Sequence, residues 1–359
     1  MTMSNEAGNC AEYTPDAAAP RMNTHATMLQ LIAGFRISRI LYVAARLGLA
    51  DLLRDTPSDS AALASVTGTH APSLYRLMRA LASIGVLAED ERRRFSLTAL
   101  GNSLRSDVPD SLREWAIFAL GDEHFRAWGE LMHCVRTGDI AFDHVFGTDV
   151  WTYRAAHAEH AAIFDRAMAQ LARSYDASLV AAYPFATVAR LVDVGGGDAT
   201  LLIAILQANA ATHGVLFDLP HVAERARDRI AQAGLSDRCE VVAGDAFTAV
   251  PTGADAYLLS RVIHDWDDGR AIAILDACRR AIGDDGRVLL VERLMPARVV
   301  ASPAAQSSSL SDLTMMVMNG GRERTEAEYR ELLDRASLAL VRIVPIETGA
   351  SVLEARRAK

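Results

Sequence analysis

The spacing of apolar positions divides the chain into a helical first half and a strand-helix second half. From Met28 to about Leu53, the residues Leu29, Ile32, Phe35, Ile40, Val43, Ala44 and Leu47 recur at three- and four-residue steps, which predicts an amphipathic helix. Shorter helices are predicted over 59–66 and 71–84. Residues 86–97 are apolar, then charged, then alternating, the pattern of a two-stranded wing after a helical unit. Residues 112–183 read as largely helical. From 187 onward, strand-like runs near 190–194, 214–217, 239–243, 256–261 and 287–292 alternate with amphipathic helices, the signature of a parallel sheet. Two last runs, 339–346 and 351–356, flank Glu347-Thr348-Gly349-Ala350 and predict a closing antiparallel hairpin. The expected division is a loose tail (1–24), a winged-helix unit (25–111), a helical linker (112–183) and an α/β domain with a Rossmann-like sheet (184–359).

With 359 residues the chain is long enough for two cores. A net charge of −8 argues against general affinity for nucleic acid or anionic membrane. Arg76, Arg79 and Arg92 to Arg94 would allow a DNA-contacting wing, but Glu89, Asp90 and Glu91 interrupt the basic face, and a solvated surface on a packing domain is the plainer reading. No continuous apolar run approaches the ~20 residues of a membrane span, and no basic-then-apolar export signal opens the chain, so a cytoplasmic location is expected. Cys10, Cys134, Cys239 and Cys278 are far apart, which points to neither a disulfide framework nor a zinc site. No metal is expected.

The candidate chemistry begins where the first strand of the parallel sheet ends. Leu191-Val-Asp-Val-Gly-Gly-Gly-Asp-Ala-Thr200 places a glycine turn there, and Asp218 follows 21 residues after Gly197, the length of one strand-helix-strand unit. A bare backbone turn and an acid able to hold a ribose diol suit a nucleoside. The glycine pattern for a pyrophosphate fails, because Thr200 stands where the third glycine is needed. Asp193-x-Gly195-x-Gly197 instead suits the zwitterionic tail of S-adenosylmethionine. The alternative is a turn that is purely structural. Further on, Asp245 in Gly-Asp-Ala-Phe closes the third strand, and His264-Asp265-Trp266 stands at the end of the fourth.

Six ordered motifs carry a resemblance over residues 28 to 359: Val-Asp-Val-Gly-Gly-Gly, Phe-Asp-Leu-Pro, Gly-Asp-Ala-Phe, His-Asp-Trp, Leu-Leu-Val-Glu and Gly-Gly-Arg-Glu-Arg-Thr. The chain resembles the small-molecule O-methyltransferases, the class that includes plant caffeate-type enzymes, acetylserotonin methyltransferase and bacterial antibiotic and phenazine methyltransferases. One departure is Ala199, where the family usually has glycine; its methyl group is expected on the first turn of the following helix. The resemblance implies an N-terminal dimerisation domain, S-adenosylmethionine as donor and S-adenosylhomocysteine as product. It implies cofactor contacts from Gly195, Asp218, Asp245, Ala246 or Phe247, and Arg261 with Ser260. It implies His264 as the base, flanked by the acids Glu292 and Glu323. Phe164 and Met168 match a substrate-lining helix position.

A base at this place fits the reaction, since a phenol with pKa near ~10 is mostly protonated at neutral pH. A carboxylate on the second imidazole nitrogen would fix its tautomer. Asp265 is expected to point away from the base. Trp266, Met315 and Asn319 are candidate pocket residues, with Met316 and Met318 as either pocket or core. The expected function is O-methylation of a small aromatic secondary metabolite (a phenol, polyketide, phenazine or quinoline) by a homodimer. Other readings are N- or C-methylation, a cofactor-holding homologue that hydroxylates or decarboxylates, and a winged-helix regulator.

Overall fold

The computed structural model describes residues 24–358, apart from the side chains of 172–175; the proposed tail lies outside them, except Thr24. The first helix, Thr24–Arg46, ends earlier than its periodicity predicts. Gly48 adopts a left-handed conformation (φ 63°), and a separate short helix, Leu49–Leu52, follows. Only glycine takes this conformation without steric cost, so the break lies in one residue that apolar spacing does not register. The helices Ser60–Thr67 and Ala71–Ser83 and the antiparallel strands β1 (Leu87–Glu89) and β2 (Phe95–Leu97) complete the predicted helical unit and wing. Its core includes Leu49, Leu63, Leu74, Met78, Leu81 and Phe95. The wing's charges are largely internal: Arg94 pairs with Asp90 at 2.8 Å, and Arg79 approaches Glu89 at 3.9 Å.

Helix Thr24–Arg46 is also long and apolar enough to cross a membrane, which the search for a continuous apolar run did not register. Its central arginines argue for another partner. Arg39 donates to the Leu120 carbonyl at 2.8 Å and stacks over Tyr42 and Phe125. Met28, Leu29, Leu31, Ile32 and Phe35 remain exposed on it.

Five parallel strands form the body of the C-terminal sheet: β3 (Arg190–Val194), β4 (His213–Asp218), β5 (Cys239–Ala243), β6 (Ala256–Ser260) and β7 (Arg287–Met295). The order is β5-β4-β3-β6-β7-β10-β9, with β9 (Leu338–Pro345) and β10 (Ala350–Arg357) as the predicted antiparallel hairpin. A two-residue strand, β8 (Arg324–Thr325), pairs parallel with β7 and has no apolar pattern to announce it. Alternate residues of each strand supply two cores: Val192, Val215, Tyr257 and Leu290 on one face, and Leu191, Leu216, Leu258 and Leu289 on the other. The chain runs outward from β3 to β5 and returns to β6, so the strand order reverses between β3 and β6. Open α/β sheets bind ligands at the carboxyl ends beside such a reversal.

The glycine turn sits there. Gly195 and Gly197 have φ of 71° and 59°, while Gly196 is fixed by space: a Cβ on it would lie 2.5 Å from Leu216 Cδ1 and 2.6 Å from Asp193 Oδ2. Ala199 is a correction to the sequence reading. It is the N-cap of helix Thr200–Ala208, buried and left-handed at φ 67°, rather than a residue of its first turn. Glycine would hold that conformation without strain. Two substitutions separate crowding from backbone strain. Gly196→Ala is expected to lose about 1–3 kcal/mol through overpacking, whereas Gly197→Ala, whose Cβ would meet open space, is expected to lose about 1 kcal/mol through its dihedral alone. Urea denaturation of the two variants measures the difference.

Candidate active site

His264 lies in a short 3-10 turn after β6, Glu292 in β7 and Glu323 just before β8. The imidazole Nδ1 is 3.5 Å from Glu292 Oε2 and 3.3 Å from Glu323 Oε1. Both carboxylates are nearly inaccessible, at 1% and 4% exposure. Glu292 Oε1 accepts from the Ile263 N–H at 3.0 Å, and Glu323 Oε1 from the Ser311 hydroxyl at 2.7 Å. Each keeps an Oε2 without a hydrogen-bond partner. Asp265 does not point away, contrary to expectation: its Oδ1 is 3.7 Å from His264 Nε2 and accepts from Asn319 Nδ2 at 2.9 Å.

Burial alone would depress the imidazole's proton affinity, but the surrounding carboxylates, Glu292 foremost, outweigh it and raise its pKa to about 10. Burial pushes Glu292 up to about 7. Burial pushes Glu323 the same way, yet its contacts with His264 and Ser311 leave it below the ordinary value. Glu323 is therefore the anionic partner of the imidazolium.

Three features of the Gly-Gly-Arg-Glu-Arg-Thr segment hold this arrangement in place, and the motif reading singled out only its glutamate. Arg324, 1% exposed, donates to the carbonyls of Ile263 (3.2 Å) and Trp266 (2.9 Å), which bracket His264, and to Asp268 at 2.7 Å. Gly321 lies so close that any Cβ would collide with the backbone of His264 and Asp265. The Arg322 N–H donates to the His264 carbonyl at 2.8 Å. A charged motif residue with no apolar neighbours signals such a role only once its burial is known.

The cofactor candidates gather around the glycine turn. Asp218 Oδ2 accepts from the Gly197 N–H at 2.9 Å, and the Gly195 N–H donates to the Phe217 carbonyl at 2.8 Å. Ser260 ends β6, and Arg261 is left-handed at φ 55°, its N–H bonded to the Val291 carbonyl; such strain in a non-glycine residue is typical of functional turns. Asp245 is exposed and accepts from the Phe247 N–H at 2.9 Å, with Ala246 half-buried between them. Phe247 meets Trp266 edge-on with centroids 4.8 Å apart. Asp218 and the bare backbone of the glycine turn thus lie together at the carboxyl ends of β3 and β4.

On the acceptor side, Phe164 packs edge-on against Phe118 and Trp151, with the Arg154 guanidinium 4.2 Å from its ring centroid. Arg154 is buried and paired with Glu123 at 2.8 Å, a link between separate helices that local sequence does not reveal. Met168 is half-buried. Met315 Sδ lies 3.9 Å from Asn319 Nδ2. Met318 is buried in a core with Phe142 and Val150, and half-buried Met316 packs against that core.

The family's O-methyltransferase domain matches residues 128–339, and its O-methyltransferase dimerisation domain matches 29–107. The chain belongs to the O-methyltransferase family and is a methyltransferase that uses S-adenosylmethionine. It is 43% identical to the phenazine O-methyltransferase PhzM of Lysobacter antibioticus, over 92% of this chain and 95% of that one. It is 37% identical to the mitomycin biosynthesis 6-O-methyltransferase of Streptomyces lavendulae, over 97% and 99%. The solved structure of NcsB1, an O-methyltransferase from neocarzinostatin biosynthesis in complex with S-adenosylmethionine and 2-hydroxy-5-methyl naphthoic acid, superposes with a TM-score of 0.81 at 35% identity, covering 89% of this chain and 96% of that one.

If His264 serves as the base, its raised proton affinity makes a pH dependence testable. A base must be neutral to accept a proton, so turnover is expected to climb as pH rises toward the imidazole's raised pKa. Glu323→Gln removes one carboxylate, lowers that pKa and moves the climb to lower pH, by about one pH unit. A kcat/KM profile of both proteins checks the direction.

Proposed function

We propose that this protein transfers a methyl group to a phenolic hydroxyl of a small aromatic metabolite, with His264 as general base. The observation that carries this reading is the imidazole held at its Nδ1 side by two buried carboxylates. S-adenosylmethionine, when bound, supplies an activated methyl group whose leaving group is a neutral thioether. With Nδ1 turned to the glutamates, Nε2 is the nitrogen left to take the acceptor's proton as its oxygen bonds to the methyl carbon. Glu323 stabilises the imidazolium that results. A raised imidazole pKa of about 10 matches that of a phenol, ~10, so the proton moves without a steep uphill step.

Gly195, Asp218, Asp245, Ala246, Phe247, Ser260 and Arg261 are assigned to the cofactor. Phe164, Met168, Trp266, Met315 and Asn319 are assigned to the acceptor; Asn319 acts through Asp265. An aromatic acceptor suits the ring cluster of Phe164, Trp151 and Trp266, in which Trp151 lies 5.8 Å from Phe164 and 6.1 Å from Trp266 between centroids. N-methylation is the second reading, but a neutral nitrogen would leave the costly carboxylate cage without a task.

His264, Glu292 and Glu323 also place one potential ligand atom each within 4.8 Å of one another, a donor set that could hold a divalent metal. The sequence reading expected no metal cluster. Departure of a neutral thioether develops no negative charge that would call for a Lewis acid, so the set is assigned to proton handling.

The protein is further proposed to be a cytoplasmic homodimer without nucleic-acid or membrane partners, in which the exposed apolar face of helix Thr24–Arg46 meets a second copy. The division at 24/25, 111/112 and 183/184 is kept as a proposal.

The test is incubation with methyl-labelled S-adenosylmethionine and a panel of hydroxylated aromatics, followed by mass spectrometry. One methyl gained on oxygen is the expected product. His264→Ala is expected to lose about 10²–10⁴-fold in rate at unchanged cofactor affinity, while Asp218→Ala loses cofactor affinity first. Weak cofactor binding by His264→Ala would remove the histidine from the base role.

A further inference from the structure

Beside the glycine turn stands an acid that neither the sequence motifs nor the proposed mechanism uses. Asp176 lies on helix Ala158–Ala182, which packs against the helix Thr200–Ala208 that opens from the turn. Its side chain is in a buried residue, 6% exposed, and its Oδ2 has no hydrogen-bond partner. A buried carboxylate is normally hydrogen-bonded or paired. One left without such a partner at a ligand cleft marks where a ligand donor belongs.

The charges around it narrow the choice of ligand. Asp176 feels Arg261 after β6, Asp198 in the turn and Arg229 on the helix Pro220–Gln232, and it acts in turn on Asp193 in β3. Arg229 is itself engaged with Asp198 at 2.7 Å. Asp193 Oδ2 is also without a partner, but it lies behind the Gly196 backbone, 2.6 Å from where a Cβ would project. A ligand on the open side of the turn is thus screened from Asp193. With Asp193 screened, Asp176 and Asp198 are matched by Arg261 and Arg229, so the partnerless Asp176 carboxylate, not a net charge, is what calls for a cationic donor. Burial holds the Asp176 carboxyl up at about 7, as expected of an acid awaiting a positive partner.

We propose that Asp176 is a cofactor-binding residue whose carboxylate receives the α-ammonium group of S-adenosylmethionine at the glycine turn. The proposal rests on the methyltransferase reading above and adds a residue to it. The ammonium donates to Asp176 Oδ2, while Arg261, the cation that acts most strongly on Asp176, is assigned to the α-carboxylate. The two ends of the amino-acid tail would then be read by opposite charges carried on separate elements, the long helix and the β6 turn.

Two probes separate this role from a structural one. S-adenosylhomocysteine carries the α-ammonium group, and 5′-methylthioadenosine keeps the nucleoside but lacks the amino-acid tail. Calorimetry on the full-length protein is expected to show Asp176→Asn weakening S-adenosylhomocysteine about tenfold or more, the scale of a charge-assisted hydrogen bond. Binding of 5′-methylthioadenosine should stay within about twofold, and Asp176→Ala should repeat the pattern. The melting temperature should not fall, because the substitution removes an unpaired buried charge. Equal loss for both probes, or loss for neither, would overturn the assignment. A wild-type protein that binds neither probe would overturn the methyltransferase reading itself.

Discussion

Gathering Asp265, Glu292 and Glu323 around one histidine in a buried site sets the demand that the neighbouring structure has to meet. Unpaired carboxylates in such surroundings are strongly disfavoured, and the imidazolium neutralises only one of them. Part of the rest is met by three donors, the Ile263 N–H, the Ser311 hydroxyl and the Asn319 amide, and by the charge of Arg154 acting on Asp265. Arg324 and Gly321 then keep the loop bearing His264 pressed against the loop bearing Glu323. The consequence is an imidazole whose proton affinity is raised by the carboxylates around it despite its burial.

The cofactor side runs on the same physics with the sign of the ligand reversed. Asp176, Asp193 and Asp218 surround a turn whose glycines are set by φ in two cases and by contact in the third. Burial, and then repulsion from Asp176 and Asp218, raises Asp193 to about 8. A positively charged ligand relieves that repulsion, whereas a phosphate would add to it. The chain's failure to match the dinucleotide glycine pattern and the charge of its pocket therefore point the same way.

Most of the sheet was legible from sequence, because strands buried on both faces leave continuous apolar runs such as 256–259 and 288–291. The hairpin followed from its turn residues. What escaped were features with no periodic signature: the helix break at Gly48, the two-residue strand at Arg324, and the left-handed backbone of Ala199. Among site residues, His264, Glu292 and Glu323 were legible through their motifs, and the structure brings them together. Asp265 was misjudged because adjacent residues in a strand point apart, but here they lie in a 3-10 turn. Met318 is buried beside Phe142, and Met316 is half-buried against the same cluster. Arg154 and Asp176 were invisible, since their meaning depends on burial against distant elements.

The most direct test of the account is an NMR titration of the His264 imidazole in the cofactor-bound protein, assigned by comparison with His264→Ala. The account predicts that the ring keeps its proton well above the ordinary histidine range near ~6.5 and that Glu323→Gln brings the titration down toward it. A ring that titrates near the ordinary value in both proteins would contradict the claim that the buried carboxylates make this histidine a base.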